Sequence, residues 1–183
     1  MLLTSNQLMD RNIITKVYEE NVQQNGIDLN LIKVERIKFG EIGFIPKEGK
    51  TKLPQYEEVL PEQVTTNGAD CLHFWNLKPG TYNITLEQGC KIPKNVGFEI
   101  FQRSSLLRCG TFIRSSWFDP GFETENIGTI MFVTECIRIE CGARVAQVIA
   151  SESKEEATKY KGQFQNDQQR ASEIDFKRMN KKD

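Results

Sequence analysis

The sequence predicts a mainly β domain, folded as an antiparallel barrel or a jelly-roll-like sandwich. Short segments rich in apolar and β-branched residues recur through the first 150 residues, and turn residues separate them at close intervals. No Gly-x-Gly-x-x-Gly sequence, P-loop or internal repeat interrupts this pattern. Because 183 residues suit one domain of common size, we expect a β domain over residues 1–150 and a C-terminal arm over residues 151–183.

The chain is predicted to begin with a short helix over about residues 5–21, which Thr4 or Ser5 can cap. Its apolar residues recur at helical spacing and are Leu8, Ile13, Ile14 and Val17. A strand is expected next, because residues 27–32 alternate between apolar and polar. Asp28 falls in this strand, on the face opposite Ile27 and Leu29, and is either a site residue or a solvated strand position.

Residues 46–70 are rich in Pro, Glu, Lys, Gln, Thr and Asn, and we expect them to cross the surface as a long excursion. Residues 72–77 and 82–86 are predicted to form a hairpin, because Pro79 and Gly80 suit the central positions of a type II turn. Further strands are expected at residues 96–101, 127–133, 137–139 and 144–150, the last after a tight turn at Cys141 and Gly142. The arm nearly lacks aliphatic residues, although Tyr160 and Phe164 could dock it over a bound ligand and exclude water.

Composition narrows the function classes. With 24 basic and 25 acidic residues, the chain has no overall field that would recruit nucleic acid or an anionic membrane. No signal peptide or membrane span is recognisable, so a cytoplasmic protein is expected. The five cysteines form no Cys-x-x-Cys pair and only one histidine accompanies them, which argues against a zinc site.

Residues 103–122 concentrate the groups that could carry chemistry. The guanidinium groups of Arg103 and Arg108 can each bind phosphate oxygens through two donors, and the hydroxyls of Ser104 and Ser105 add neutral donors. Asp119, held between Pro120 and Gly121 on one side and aromatic residues on the other, could present its carboxylate to a water. This pattern indicates an anion site beside a carboxylate, with a polar helical turn and an ordinary surface turn as the alternative.

Five segments, in order, resemble motifs of the dUTPase and dCTP deaminase superfamily. They are Gln24-Asn25-Gly26-Ile27-Asp28-Leu29, Arg103-Ser104-Ser105-Leu106-Leu107-Arg108, Phe118-Asp119-Pro120-Gly121-Phe122, Gly142-Ala143-Arg144-Val145-Ala146-Gln147 and Lys159-Tyr160-Lys161-Gly162-Gln163. The resemblance implies a distorted jelly roll, assembled as a homotrimer whose active sites are shared between subunits and closed by the arm. It also implies that backbone groups around residues 111–119 read the pyrimidine edge.

The same resemblance assigns roles to individual residues. Arg103, Ser104, Ser105, Arg108 and Gln147 would contact the triphosphate, and Phe122 would pack against the deoxyribose. Lys159, Tyr160 and Gln163 would act from the arm. Asp119 would orient or deprotonate the attacking water, while Mg²⁺ would be held mainly by the phosphates, with Asp28 contacting it indirectly through water.

The reaction is predicted from one position. The deaminase branch needs a Glu for proton transfer, and that Glu falls on Ile130 here when one residue is inserted in the loop from Glu123 to Glu125. An isoleucine cannot transfer a proton, so hydrolysis of dUTP to dUMP and pyrophosphate is favoured. With the insertion placed elsewhere, Glu123, Glu125 or Glu135 could serve, which leaves a dCTP deaminase or a bifunctional enzyme open.

Two departures from typical trimeric dUTPases bear on this prediction. The arm lacks their Gly-rich closing motif, and Phe122 stands where they usually have Tyr. The chain therefore resembles dUTPase chemistry on a deaminase-like frame, and a non-catalytic nucleotide-binding regulatory protein is the alternative of another class.

Overall fold

The structure, a computed structural model, describes residues 1–65 and 71–165. Within these ranges the chain is mainly β, with two short α-helices, α1 (Ser5–Asp10) and α2 (Ser104–Arg108), and a 3₁₀ turn at Glu19–Asn21. The strands are β1 (Ile14–Thr15), β2 (Val22–Gln23), β3 (Gly26–Ile37), β4 (Tyr56–Glu58), β5 (Glu62–Thr65), β6 (Cys71–Leu77), β7 (Gly80–Leu86), β8 (Gly89–Lys91), β9 (Val96–Gln102), β10 (Thr111–Arg114), β11 (Glu123–Thr124), β12 (Gly128–Val133), β13 (Ile137–Glu140) and β14 (Arg144–Glu152).

The central sheet nearly closes into a barrel. Its strands are antiparallel and follow the order β10-β12-β7-β3-β14-β9, with β2 and β4 attached to β3. The two edge strands approach each other at Ser115, whose Oγ accepts from the Ile100 N–H at 3.0 Å and donates to the Ile100 carbonyl at 3.3 Å. Two three-stranded sheets, β1-β8-β11 and β13-β6-β5, complete the fold. The predicted mainly β, barrel-like class is confirmed.

The barrel interior is apolar because alternate strand residues point inward. Ile84 of β7, Met131 of β12 and Val148 of β14 are fully buried there, as are Ile27 and Leu29 of β3. Burying each such side chain contributes about 1.5–3 kcal/mol. This core fixes the register of β7, β10 and β12, so the residues on the opposite face of these strands occupy defined positions.

The predicted N-terminal helix is too long, because α1 ends at Asp10. The Asn12 N–H donates to the Met9 carbonyl at 2.8 Å, and the Ile13 N–H donates to the Leu8 carbonyl at 2.9 Å. Asn12 has a φ of 50°, so these bonds form a Schellman ending with asparagine in the left-handed position. The β-branched residues that follow favour the extended conformation and form β1, paired with β8.

The predicted hairpin over residues 72–77 and 82–86 is also wrong in its pairing. Both strands exist, as β6 and β7, but β6 pairs with β5 and β13, whereas β7 pairs with β3 and β12. Gly80 does not have the positive φ that a type II turn requires at its position. Residues 78–79 therefore carry the chain from one sheet to another.

The excursion predicted over residues 46–70 includes two strands that were not predicted. It contains β4, which extends the central sheet, and β5, which pairs with β6. The indole N–H of Trp75 donates to the Val59 carbonyl at 2.8 Å and ties the segment between these strands to the body. Residues 66–70 of this prediction, and residues 166–183 of the predicted arm, lie outside the described residues.

Candidate functional site

A pocket of about 530 Å³ lies on the outer face of the central sheet. Its floor contains a cross-strand row formed by Asn83 of β7, Ile130 of β12 and Arg114 of β10. These residues alternate with core residues of the same strands, which is why they face away from the barrel interior. The loop over residues 115–119, together with Leu53 and Tyr56 of the excursion, forms walls.

Asp119 lines this pocket from a tight turn. The Phe122 N–H donates to the Asp119 carbonyl at 3.1 Å, and Gly121 takes a φ of 80°, so Pro120 and Gly121 occupy the central positions of a type II turn. The Asp119 side chain is exposed and makes no hydrogen bond or ion pair with the residues that the structure describes. Its carboxylate is therefore available to a water or a ligand.

A series of aromatic rings connects the turn to the core and to the arm. Phe98, which is fully buried, stacks on Phe118 at a centroid distance of 4.6 Å. Phe118 contacts Phe122 at 5.7 Å, and Phe122 meets the edge of Tyr160 at 5.4 Å. Phe122 and Tyr160 both line the pocket. The turn that carries Asp119 is thus held by packing as well as by its hydrogen bond.

The described part of the arm docks beside this turn. The Tyr160 N–H donates to the Pro120 carbonyl at 2.9 Å, and Lys159 packs so closely that a Cβ on Gly121 would lie 2.6 Å from its Cγ. Gln163 makes a reciprocal pair with the backbone of Thr51 in the excursion. The Thr51 N–H donates to Gln163 Oε1 at 3.0 Å, and Gln163 Nε2 donates to the Thr51 carbonyl at 2.8 Å.

A second cluster surrounds Asp28. Its Oδ2 lies 3.1 Å from Arg103 Nε and 3.5 Å from Arg144 Nη1, while its side chain is only 2% exposed. Gln147 is the cross-strand neighbour of Asp28 in β14. Ser104, Ser105 and Arg108 are exposed on α2, which begins directly after Arg103. Of the predicted phosphate-binding residues, Arg103 and Gln147 therefore lie next to one buried carboxylate, and the others follow Arg103 on α2.

Burial raises the pKa of Asp28 above its ordinary value, and the attraction of Arg103 and Arg144 offsets this only in part. Oδ2 has no hydrogen-bond partner among the described residues, because neither guanidinium directs an N–H at it with good geometry. Arg144 is held by the Glu20 carbonyl as well. This arrangement fits a carboxylate that positions two arginines better than one that faces a metal ion.

The structure brings only some of the predicted residues together. Asp119, Phe122 and Tyr160 share the pocket, and Lys159 and Gln163 flank it from the arm. None of the Asp28 cluster, α2 or Gln147 lines that pocket. The predicted site is therefore divided between two regions of a single chain.

Sequence reasoning missed several pocket residues, among them Asn83 and Arg114. Asn83 had a recognisable signal, because an asparagine is unfavourable in the middle of an apolar strand. Arg114 lies within the segment already singled out, but only the register of β10 with β12 places it beside Ile130. Leu53 and Tyr56 lie in the excursion, and the sequence does not indicate that this segment packs against the pocket.

The positions of the acidic residues bear on the predicted reactions. Asp119 is the only carboxylate among the described residues that line the pocket, and Ile130 lies in its floor. Glu123 lies 3.9 Å from Lys91 in β8, and neither Glu125 nor Glu135 lines the pocket. The three glutamates that could have served a deaminase are thus outside it.

The described residues form no metal-binding cluster and no membrane-spanning helix. Across residues 1–65 and 71–165, no three His, Cys, Asp or Glu side chains are grouped as a metal site. No helix in this part of the chain is both long and apolar enough to cross a bilayer.

Comparisons with known proteins agree with the fold. A family model described as dCTP deaminase-like matches residues 4–153. The chain is 35% identical to the deoxyuridine 5'-triphosphate nucleotidohydrolase of Methanocaldococcus jannaschii over 153 residues, 83% of this chain and 92% of that protein. It is 32% identical to a probable deoxyuridine 5'-triphosphate nucleotidohydrolase of Halobacterium salinarum over 155 residues, 84% of this chain and 88% of that protein.

A solved structure shares the fold. The 2'-deoxycytidine 5'-triphosphate deaminase from Agrobacterium tumefaciens superposes with a TM-score of 0.55 at 14% identity. The match covers 83% of this chain and 48% of that one.

Proposed function

Because the chain belongs to the dCTP deaminase-like family, we propose that it is a dUTP nucleotidohydrolase that releases dUMP and pyrophosphate. The observation that carries this proposal is the composition of the pocket. Asp119 is the one carboxylate among the described lining residues, and the position expected to hold a deaminase Glu is Ile130. The names of the relatives at 35% and 32% identity support the same reaction.

Asp119 is the proposed general base or water-orienting residue. Its carboxylate would hold a water that attacks the α-phosphorus, so that a bond forms between the water oxygen and this phosphorus while the bond to the bridging oxygen breaks. The proton passes toward the carboxylate, and pyrophosphate leaves with the bridging oxygen. The open position of Asp119, with no partner among the described residues, supports this role.

Arg103, Ser104, Ser105, Arg108 and Gln147 are the proposed triphosphate contacts. Arg103 is held near Asp28, whereas Arg108 and the two serines are exposed and free to meet a ligand. Phe122 would support the deoxyribose, and Lys159, Tyr160 and Gln163 would close the pocket from the arm. Residues 1–150 then form the catalytic β domain and residues 151–183 its closing arm.

Mg²⁺ would supply charge neutralisation as pyrophosphate leaves. The described residues offer no cluster of ligands for it, which fits an ion held mainly by the three phosphates. The contact of Asp28 with the ion through water stays a prediction, and the position of its carboxylate between two arginines does not favour it.

A homotrimer with shared sites would reunite the two regions. The phosphate-binding residues and the Asp119 pocket are separate in one chain, so a neighbouring subunit would bring its α2 to the pocket.

The experiment is a two-product assay. The purified protein is incubated with Mg²⁺ and either dUTP or dCTP, and pyrophosphate and ammonia are followed separately. We expect pyrophosphate from dUTP and no ammonia from dCTP. Ammonia from dCTP would contradict the assignment based on Ile130, and neither product would favour a non-catalytic nucleotide-binding protein.

A further inference from the structure

Asn83 is a polar residue that the proposed mechanism does not use. It lies in the floor of the pocket, and only 6% of its surface is exposed. Its cross-strand neighbours are Glu35 in β3 and Ile130 in β12. A buried amide in a sheet is costly unless its donors and acceptor find partners.

Glu35 fixes the orientation of this amide. Asn83 Nδ2 donates to Glu35 Oε2 at 2.9 Å, and Lys33 Nζ lies 2.9 Å from Glu35 Oε1. A carboxylate can only accept hydrogen bonds, so Asn83 must turn its NH₂ group toward it. The flipped amide would place Oδ1 against a carboxylate oxygen, and the Lys33 and Glu35 side chains are only 10% and 16% exposed, so water screens that repulsion poorly.

The amide oxygen is left for a ligand. No described residue donates a hydrogen bond to Asn83 Oδ1, although Nδ2 is bonded. One hydrogen of the NH₂ group is also unused by Glu35. The side chain thus presents an acceptor and a donor next to each other, in an order that cannot reverse while Glu35 remains a carboxylate.

We propose that Asn83 determines pyrimidine specificity, with Glu35 as its positioning residue. Uracil offers a donor at N3–H beside an acceptor at O4, which complements Oδ1 and the remaining N–H. Cytosine offers an acceptor at N3 beside a donor at its 4-amino group, so both contacts become unfavourable. This inference rests on the proposed function, because it assigns the base contact of the same pocket.

The test compares kcat/KM for dUTP and dCTP, both followed as pyrophosphate release, in the wild-type protein and in Glu35→Gln. A glutamine can accept as well as donate, so the Asn83 amide becomes free to flip. We expect the preference for dUTP to fall by about tenfold or more, chiefly through improved use of dCTP. An unchanged ratio in a folded Glu35→Gln protein overturns the proposal.

Glu57→Gln is the matched control. Glu57 lies on the neighbouring strand β4 and pairs with Arg36 at 2.6 Å, outside the pocket. The same charge is removed from the same sheet, so the dUTP preference should stay at the wild-type value. A comparable loss of preference in both variants would overturn a specific role of Glu35.

A second variant and a binding measurement complete the test of Asn83. If Glu35→Gln does not fold, Asn83→Ala should lose most of the preference for dUTP, and retention of that preference would overturn the proposal.

Calorimetry of dUMP and dCMP binding measures the base contact without turnover. A wild-type protein that prefers dUMP but releases no pyrophosphate from dUTP would contradict the proposed function while supporting the role of Asn83; equal binding of both nucleotides would overturn that role.

Discussion

Asp119 owes its proposed role to a carboxylate with no partner among the described residues. Asp119→Asn keeps the shape of the side chain but cannot take a proton, so kcat for dUTP should fall by about 10²–10⁴. Binding of a non-hydrolysable dUTP analogue, measured by calorimetry, should change little. Glu123→Gln is the control, because Glu123 lies only four residues away but outside the pocket. Near-normal turnover of Asp119→Asn would refute the assignment.

Arg108 is expected to act through the phosphates alone. Arg108→Ala removes an exposed cation from the end of α2, so affinity for the triphosphate should fall by about 1.5–3 kcal/mol, the range for a charged hydrogen bond. Affinity for deoxyuridine should be unaffected. Titration calorimetry with both ligands measures the difference, and equal losses for the two would exclude a phosphate contact.

Asp28 couples stability to pH. Since its folded-state pKa is raised above the ordinary value near 3.8, the folded protein holds this proton more tightly than the unfolded chain. Its contribution to stability is therefore complete below the ordinary pKa and is lost as pH rises through the raised value. The unfolding free energy of wild type minus that of Asp28→Asn should fall as the pH rises above the ordinary pKa near 3.8.

Urea unfolding of both proteins across this pH range measures the difference. Asp10→Asn, which removes an exposed carboxylate from α1, is the control. A difference that rises with pH would mean that the two arginines outweigh burial.

Strand β9 positions the loop that leads to Asp119. A Cβ on Gly97 would collide with the indole ring of Trp117, which is 46% exposed and can move toward solvent. Gly97→Ala should therefore cost about 1–3 kcal/mol of stability but reduce kcat/KM by about tenfold or more, because the loop shifts.

Tryptophan emission reports this shift, since the other indole, Trp75, is only 2% exposed. Gly80→Ala is the control, because a Cβ there meets its nearest neighbour at 3.6 Å, an ordinary contact. Unchanged emission and activity in Gly97→Ala would show that β9 does not position the loop.

Elements were predictable where the local pattern decided them. Alternation predicted β3, and strands were also expected where β9, β12 and β14 lie. A polar helical turn at residues 103–108 was only the alternative to an anion site, and α2 is helical there. The helix at the N-terminus failed because Asn12 adopts a left-handed conformation, which Leu8 and Ile13 support by being buried together. The hairpin failed because strand partners are chosen by distant segments, which no local turn signal reveals.

At the scale of the whole molecule, a mixture of two variants can test whether active sites are shared between subunits. If the protein is the proposed homotrimer with shared sites, Asp119→Asn and Arg108→Ala proteins, each inactive or weak alone, should regain activity when the two are refolded together. If the two regions come from different subunits, about a quarter of the sites in a 1:1 mixture contain both wild-type residues. Activity no higher than the average of the two variants would place the complete site within one chain.

The residues that line the candidate pocket were predictable only in part. Asp119, Phe122 and Tyr160 were identified from local motifs, and the structure places them in one pocket. Asn83, Arg114 and Tyr56 come from three different strands, and their proximity depends on the order of β3, β7, β12 and β10. The spacing of residues along the sequence does not predict that strand order. The cytoplasmic location and the trimer remain predictions.

The pairing of Gln163 with Thr51 has an evolutionary consequence. Gln163 recognises the N–H and carbonyl of residue 51, not its side chain. Almost any amino acid at position 51 can therefore keep both hydrogen bonds to Gln163. Proline is the exception, because it has no N–H to donate. Among homologous chains we expect a glutamine retained in the arm opposite an excursion of variable sequence, a contact that correlated substitutions would not reveal.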